Sequence, residues 1–402
     1  MKFGKILLTT GFVLVVFAMP FLVYGAETPQ RYFVKSTNPF WKNALNARNS
    51  FDNGFSADLA EWQIKFAKLF NVETELVTKL YILPSEIEKL EITKKVSNKS
   101  PTAKGQRALP SDQTPWGISS VYRDTSITST LGGAGVVVAV VDTGIDKDHP
   151  DLKNRVASCK DFTHKKFAIV DGRCDDQNGH GTHIAGIISA DGGEDKLGVY
   201  GVAPEAKISA FKICDASGVC YADDVAAGIR SASDESNIIN LSIGSDNSSQ
   251  LVVDAINYAI SKGVLVVAAA GNDGPYFGSI DYPAYYENVV GVGAFGQSML
   301  IADWSSRGLN SKTQKYITED GDIEFAMPGV NIESTWKGGK YAVLSGTSMA
   351  APHLAGLAAK YWQADQEKPS LATREILQSF SLDIDEVGDD DASGWGFPRV
   401  SL

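Results

Sequence analysis

The chain has 402 residues, 44% of them hydrophobic and 21% charged, enough apolar material for a large core and enough length for two or three domains. Its net charge of -11 excludes the basic footprint of a nucleic-acid-binding protein. An acidic balance otherwise favours solubility and leaves room for carboxylate-bound cations.

Lys2 and Lys5 precede an almost unbroken apolar run from Ile6 to Val23, and Val23-Tyr-Gly25 offers small or apolar residues before a cut near Ala26. This is the pattern of a secretory signal over residues 1-25, and it implies a product outside the cell. The run of roughly 18 residues also approaches spanning length, so an uncleaved anchor is the alternative and the only membrane contact implied. Residues 26-107 differ from the remainder of the chain: they are rich in Lys and Glu and hold only Gly54 and Gly105. Leu59 to Phe70 has the spacing of an amphipathic helix. Lys94 to Arg107 is a polar, basic stretch that reads as an exposed linker. The place of this segment, between an export signal and the body of the chain, is that of a propeptide; an unrelated accessory domain is the alternative.

From Ala108 onward, strand and helix alternate. Val136 to Val141 is a continuous apolar run, as a buried parallel strand requires. The order continues as helix His183 to Ala190, strand Ala206 to Ile213, helix Asp223 to Ser233 and strand Ile238 to Ser242. Helix Leu251 to Lys262, ended by Gly263, is followed by strands Val264 to Ala270 and Val289 to Gly293, and then by helix Ser348 to Trp362. Such alternation predicts a parallel sheet covered on both faces, with ligand sites at the carboxyl ends of its strands. The four cysteines of an exported chain predict two disulfides, and their spacing pairs Cys159 with Cys174 and Cys214 with Cys220. The acidic run Asp383 to Asp391 reads as solvated surface carboxylates. The closing Gly394-Trp-Gly-Phe-Pro398 leaves too little chain for a full final helix.

Three segments carry chemistry, in the order acid, base, nucleophile: Val138-Ala-Val-Val-Asp-Thr-Gly144, Asn178-Gly-His-Gly-Thr-His183 and Gly346-Thr-Ser-Met-Ala-Ala-Pro-His353. A serine hydroxyl is a poor nucleophile until a neutral imidazole takes its proton, and a buried carboxylate must hold that imidazole in one tautomer. Asp142, His180 and Ser348 supply these groups. Taken singly, Ser348 is also a helix cap and Asp142 a turn residue; together the three segments point to acyl transfer. Pro352 falls near the first turn of the helix that Ser348 opens, where a missing N–H costs least. His183 belongs to no His-Glu-x-x-His pattern and reads as a packed structural residue, with no catalytic metal. An α/β-hydrolase is excluded: Gly346-Thr-Ser-Met-Ala350 lacks the second glycine, and His353 lies too close to Ser348 to serve as its base.

Asp, His and Ser in this order, with these flanks, resemble the subtilisin family (subtilases) of serine endopeptidases over about residues 111-402. The resemblance implies a three-layer α/β fold preceded by a small α+β propeptide, polypeptide substrates, and a propeptide that inhibits its own enzyme. Ala268-Ala-Ala-Gly-Asn-Asp-Gly274 resembles the family's oxyanion segment, making the Asn272 amide one donor and the Ser348 N–H another. Asn240-Leu-Ser-Ile-Gly244 resembles the strand that pairs with substrate, and Ala216-Ser-Gly-Val-Cys220 the opposite edge, so Ser242, Gly244 and Gly218 are carried over as substrate-binding. By alignment on Tyr282-Pro283, Asp281 falls near the floor of the specificity pocket and Asp273 near its rim. Carboxylates there favour a basic residue before the scissile bond, such as Arg107 of Gln106-Arg107-Ala108. His149-Pro-Asp-Leu152 and the loop from Gly193 to Pro204 resemble family calcium segments. They imply Asp151, Asp195 and Asp112 as side-chain ligands and Leu197 and Val199 as carbonyl ligands. Ala351, where the family often has serine, and Met327, inserted in its Ala-Pro-Gly, depart from the pattern. A silent, non-catalytic member would lack one of these groups, and here all are present.

Overall fold

The computed structural model describes residues 28-83, 107-165, 167-311 and 318-401. The expected signal segment and nearly all of the basic linker lie outside the described residues. The chain divides into two compact units, 1-77 and 78-402.

In the first unit, an antiparallel sheet runs in the order Ser50–Phe51, Gly54–Leu59, Gln30–Val34, Thr74–Leu76. Helices Pro39–Ala44 and Glu61–Leu69 accompany it. Val34, Trp41, Phe55, Leu59 and Ala67 form its core. The predicted amphipathic helix is present but starts later than the pattern implies. Leu59 ends the strand, and the Gln63 side chain accepts from the Ala60 N–H at 2.9 Å, fixing the first turn.

The second unit is built on an eight-stranded sheet. Its order is Phe325–Pro328, Val290–Phe295, Leu265–Ala269, Ile238–Leu241, Val137–Asp142, Lys207–Lys212, Val156–Asp161, Val170–Asp171. The first seven strands are parallel, and only Val170–Asp171 runs antiparallel. Helices on both faces complete three layers. The central strands are unbroken apolar runs because both of their faces are covered. The helix Thr347–Lys360 is buried on nearly every side, and its alanines and Gly356 allow that: a Cβ on Gly356 would lie 2.7 Å from Val202 Cβ.

Cys159–Cys174 and Cys214–Cys220 are both bonded. The predicted strands and helices of this unit are found to within a few residues of their bounds. Two features differ from expectation. Ile332–Trp336 and Lys340–Leu344 form a hairpin against the helix His180–Ser189, a pairing that the alternating pattern around Gly338 and Gly339 permits. The acidic run near the C-terminus is not wholly solvated. Asp389 and Asp390 are buried, with Asn310 donating to the first at 2.7 Å and the N–H groups of Ala392 and Ser393 donating to the second. Burial pushes the Asp389 carboxyl up to about 6. Among the described residues, no helix is long and apolar enough to cross a membrane.

Candidate active site

Asp142 closes the central strand Val137–Asp142, His180 opens the helix His180–Ser189, and Ser348 is the second residue of the helix Thr347–Lys360. All three are buried, at 0%, 5% and 0% exposure. His180 Nδ1 lies 2.8 Å from Asp142 Oδ1 and 3.0 Å from Oδ2. This close approach needs the glycine after His180: a Cβ on Gly181 would fall 2.2 Å from Gly144 O and 3.1 Å from Asp142 Oδ1. His180 Nε2 is buried with no hydrogen-bond partner among the described residues, which leaves one ring nitrogen for proton transfer.

Asp176, absent from the sequence-based site, ties two of the three segments together. Its Oδ1 accepts from Thr143 Oγ1 at 3.0 Å and from Gly179 N at 2.7 Å, and its Oδ2 accepts from Thr182 N at 3.0 Å. Thr143 Oγ1 in turn accepts from Gly181 N at 3.0 Å. The only sequence signal was an acidic residue shortly before the Gly-His-Gly segment.

Pro352 stands six residues into its helix rather than in the first turn, and it cannot donate to the carbonyl four residues back. That carbonyl belongs to Ser348, and Ser242 Oγ donates to it at 2.9 Å. Asn240 Nδ2 holds Ser242 Oγ at 3.0 Å. The backbone of Ser348 is thus anchored by Ser242, assigned above to substrate. Asn272 Oδ1 accepts from Thr347 N and Thr347 Oγ1, both at 3.0 Å, while its Nδ2 is buried without a hydrogen-bond partner among the described residues. Thr347, also missed in the sequence, therefore fixes the amide so that its donor end stays free.

The strand Lys79–Ile82 lies between Val219–Tyr221 and Ile243–Gly244, antiparallel to both. Ile82 N donates to Gly218 O at 3.0 Å, and the Cys214–Cys220 bond closes the loop that carries Gly218. Leu83 follows, with its carbonyl oxygen 3.5 Å from Ser348 Oγ; Ser242 O lies 3.2 Å from the same hydroxyl. This is strand addition, the mode by which extended peptides are bound through backbone hydrogen bonds. Leu80 is buried and Tyr81 exposed, so alternate side chains meet pockets.

Leu83 lies beside Asp281. A Cβ on Gly244 would fall 2.7 Å from Leu83 Cδ2 and 2.4 Å from Asp281 Oδ2. Asp281 is buried, and its carboxyl is pushed up to about 7 by burial first and by Asp273 and Asp246 next. Oxygens of these three carboxylates lie within 4.8 Å of one another. Asp246 was not foreseen, because nothing local in Gly244-Ser-Asp-Asn247 marks a pocket.

His183 is a packed residue, as expected. Its Nε2 lies 3.1 Å from both Ile332 O and Ala342 O, and burial drives its pKa down to about 3, so the ring is neutral.

Asp151 and Asp195 come together, but through Arg107, whose Nη1 is 2.8 Å from Asp151 Oδ1 and whose Nη2 is 2.7 Å from Asp195 Oδ1. Arg107 therefore lies among the expected calcium ligands and not beside Ser348. Val199 N donates to Asp151 Oδ2 at 3.0 Å, and Leu197 N donates to Asp195 Oδ1 at 3.1 Å. Asp112 Oδ1 accepts from Thr114 N at 3.0 Å, and it is Gln113 whose side chain donates to Lys196 O.

The family model described as "Subtilase family" matches residues 133-396. Over 429 aligned residues the chain is 40% identical to "Subtilisin" of Bacillus sp. (strain TA39), covering 99% of each chain. It is 34% identical to "M-protease" of Shouchella clausii (strain KSM-K16), over 98% of this chain and 96% of that protein. Two solved structures, "S41 Psychrophilic Protease" and "Sphericase", each align with a TM-score of 0.70 at 45% identity, over 73% of this chain and all of theirs.

Proposed function

This chain belongs to the subtilase family and is a subtilisin-like serine endopeptidase, and from that premise we propose that Ser348 is its nucleophile, His180 its proton carrier and Asp142 the carboxylate that orients His180. The pairing of both Asp142 oxygens with His180 Nδ1 at 2.8 and 3.0 Å carries this assignment. Ser348 Oγ attacks the peptide carbonyl carbon while His180 Nε2 accepts its proton. The protonated ring then delivers that proton to the departing amine, and water repeats the sequence to release the acid from the acyl-enzyme. Asn272 Nδ2 and the Ser348 N–H donate to the oxygen as it gains charge.

A fluorophosphonate probe tests the nucleophile directly: peptide mapping should locate the adduct on Ser348, and an adduct elsewhere would overturn the assignment. Asn272→Leu is expected to lower kcat by about 10²–10³ with little change in KM, a magnitude measured in subtilisin itself and carried over to this chain. A KM effect alone would remove Asn272 from this role.

Substrate lies between Gly218 and Gly244 as an added strand, on the pattern of the chain's own residues 79–82. Asp281, with Asp273 and Asp246, makes the pocket below the scissile bond favour Arg or Lys. Because the folded carboxyl titrates near 7 rather than near 4, it is neutral below that pH and anionic above it. The ratio of kcat/KM for an arginyl over a leucyl peptide should therefore rise about tenfold to thirtyfold from pH 5.5 to 8.5, the worth of a hydrogen bond to a charged group limited by the roughly thirtyfold change in ionised carboxyl over that window. Asp281→Asn should flatten the rise; a ratio that does not depend on pH in the wild type would exclude this pocket assignment.

Residues 1-25 are the export signal, residues 26-107 the propeptide, and the enzyme acts outside the cell. Supporting the propeptide, residues 79–83 lie in the cleft in the manner of an inhibitor. A calcium ion suits the oxygens of Asp151, Asp195 and the Gly192 carbonyl, which already converge on a cation in the Arg107 guanidinium. Asp151, Asp195, Leu197 and Val199 would hold that ion as a structural brace. Asp112 does not join them: its carboxylate accepts from Thr114 N, and Gln113 is the residue that meets the loop, at Lys196 O and Tyr200 N.

A further inference from the structure

Arg107 is the last residue of the linker and its only described one, and its guanidinium sits where three oxygens meet. Nη1 donates to Asp151 Oδ1 at 2.8 Å, and Nη2 donates to Asp195 Oδ1 at 2.7 Å and to Gly192 O at 3.3 Å. Asp151 is fully buried. Its other oxygen takes Val199 N at 3.0 Å and the Tyr341 hydroxyl at 2.7 Å. The loop closes tightly over this carboxylate, since a Cβ on Gly198 would fall 2.0 Å from Asp151 Oδ1. A buried carboxylate of this kind needs a cation, because a charge taken out of water and left uncompensated is strongly unfavourable.

The guanidinium answers that need incompletely. Arg107 Nε is buried without a hydrogen-bond partner among the described residues. The acceptors it meets are two carboxylates and a backbone carbonyl, the hard oxygen set that a calcium ion takes.

We propose that Arg107 is an internal cation that holds the calcium position at Asp151, Asp195 and Gly192 O in the uncut chain, and that cleavage after Arg107 opens it to calcium. This rests on the calcium assignment above. Hydrolysis of the Arg107–Ala108 bond adds one water across the peptide. Arg107 then leaves with the propeptide, and both carboxylates lose their cation together. Binding at one position is exclusive, so the coupling is reciprocal: calcium bound there must also expel Arg107 and expose the bond that follows it. The cut after Arg107 and calcium uptake thereby become one event.

The test uses the full chain carrying Ser348→Ala, which keeps Arg107 attached, and the same chain with Arg107→Gln added. Terbium luminescence with calcium competition reads affinity at the site, and adding Asp195→Asn identifies that site. The expected result is calcium binding at least tenfold tighter with Arg107→Gln, abolished by Asp195→Asn. Equal affinities, both reduced by Asp195→Asn, would retain the calcium site and overturn the role of Arg107. No calcium binding in either chain would overturn both. Should Arg107→Gln fold poorly, trypsin on Ser348→Ala alone decides the matter. Calcium should speed cleavage before Ala108 severalfold over a chelated sample, read by N-terminal sequencing, and an unchanged rate would refute the exclusion.

Discussion

Replacing Ser348 by alanine is expected to lower kcat for peptide hydrolysis by about 10⁶, a figure that comes from subtilisin itself and is carried over within the family. The physical reason lies in what the remaining groups can do alone. His180 Nε2 is buried and unpartnered among the described residues, and without the hydroxyl it has no proton to accept from a covalent nucleophile. Asn272 and the helix N-terminus still stabilise an oxyanion, so a residual rate above water alone is expected. The same variant should leave the chain uncut in the cleft. Leu83 is the residue whose carbonyl meets Ser348 Oγ at 3.5 Å. Self-cleavage within one molecule should therefore fall after Leu83, at a rate independent of protein concentration. Arg107 is held at Asp151, so the cut after it should be made by a second molecule and slow on dilution. Intact mass and N-terminal sequencing of wild type and variant over a dilution series read both cuts. A variant that processes as fast as wild type would sink the assignment of Ser348.

Asp142→Asn is expected to lower kcat by about 10⁴, the loss found when the same carboxylate is made an amide in a serine protease of another fold. Thr143 N donates to Asp142 Oδ1 at 2.6 Å, so the amide oxygen of asparagine will stay on that side. The amide nitrogen then takes the Oδ2 position, 3.0 Å from His180 Nδ1, beside the oxygen that stays 2.8 Å from it. A donor at that distance disfavours a proton on Nδ1 and shifts the ring toward the tautomer protonated at Nε2, which can no longer accept a proton from Ser348. The shape of the site is unchanged, so inhibitor affinity should hold while kcat falls. A loss below tenfold would show that His180 is oriented by something else. Asp142→Ala separates the two effects, because it removes the acceptor without imposing the wrong tautomer.

Much of this was legible in the chain itself, for identifiable reasons. Val137–Asp142 and Leu265–Ala269 are apolar throughout their buried length because they are covered on both faces, and that leaves a continuous run that periodicity detects. The groups of the proposed site each carry their own flanks, since a strand end, a helix start and a Gly-rich turn are local demands. Both disulfides join cysteines close in sequence, 15 and 6 residues apart, so spacing was enough. The acidic run near the C-terminus misled because charge alone reports solvation, whereas Asn310 and a tight turn at Asp390 bury two of its members.

The sequence by itself determined the sheet and the groups proposed for the chemistry, because those requirements are met within a few residues. Only the tertiary structure decided what steadies those groups. Asp176 joins two loops, Thr347 turns the Asn272 amide, and Ser242 takes the carbonyl that Pro352 leaves without a donor. It alone decided which part of the N-terminal chain lies in the cleft and which cation meets Asp151. Each of these is a contact between segments far apart in the chain. Backbone hydrogen-bond donors and buried charges find such partners only after the layers have packed, and no local pattern records the choice.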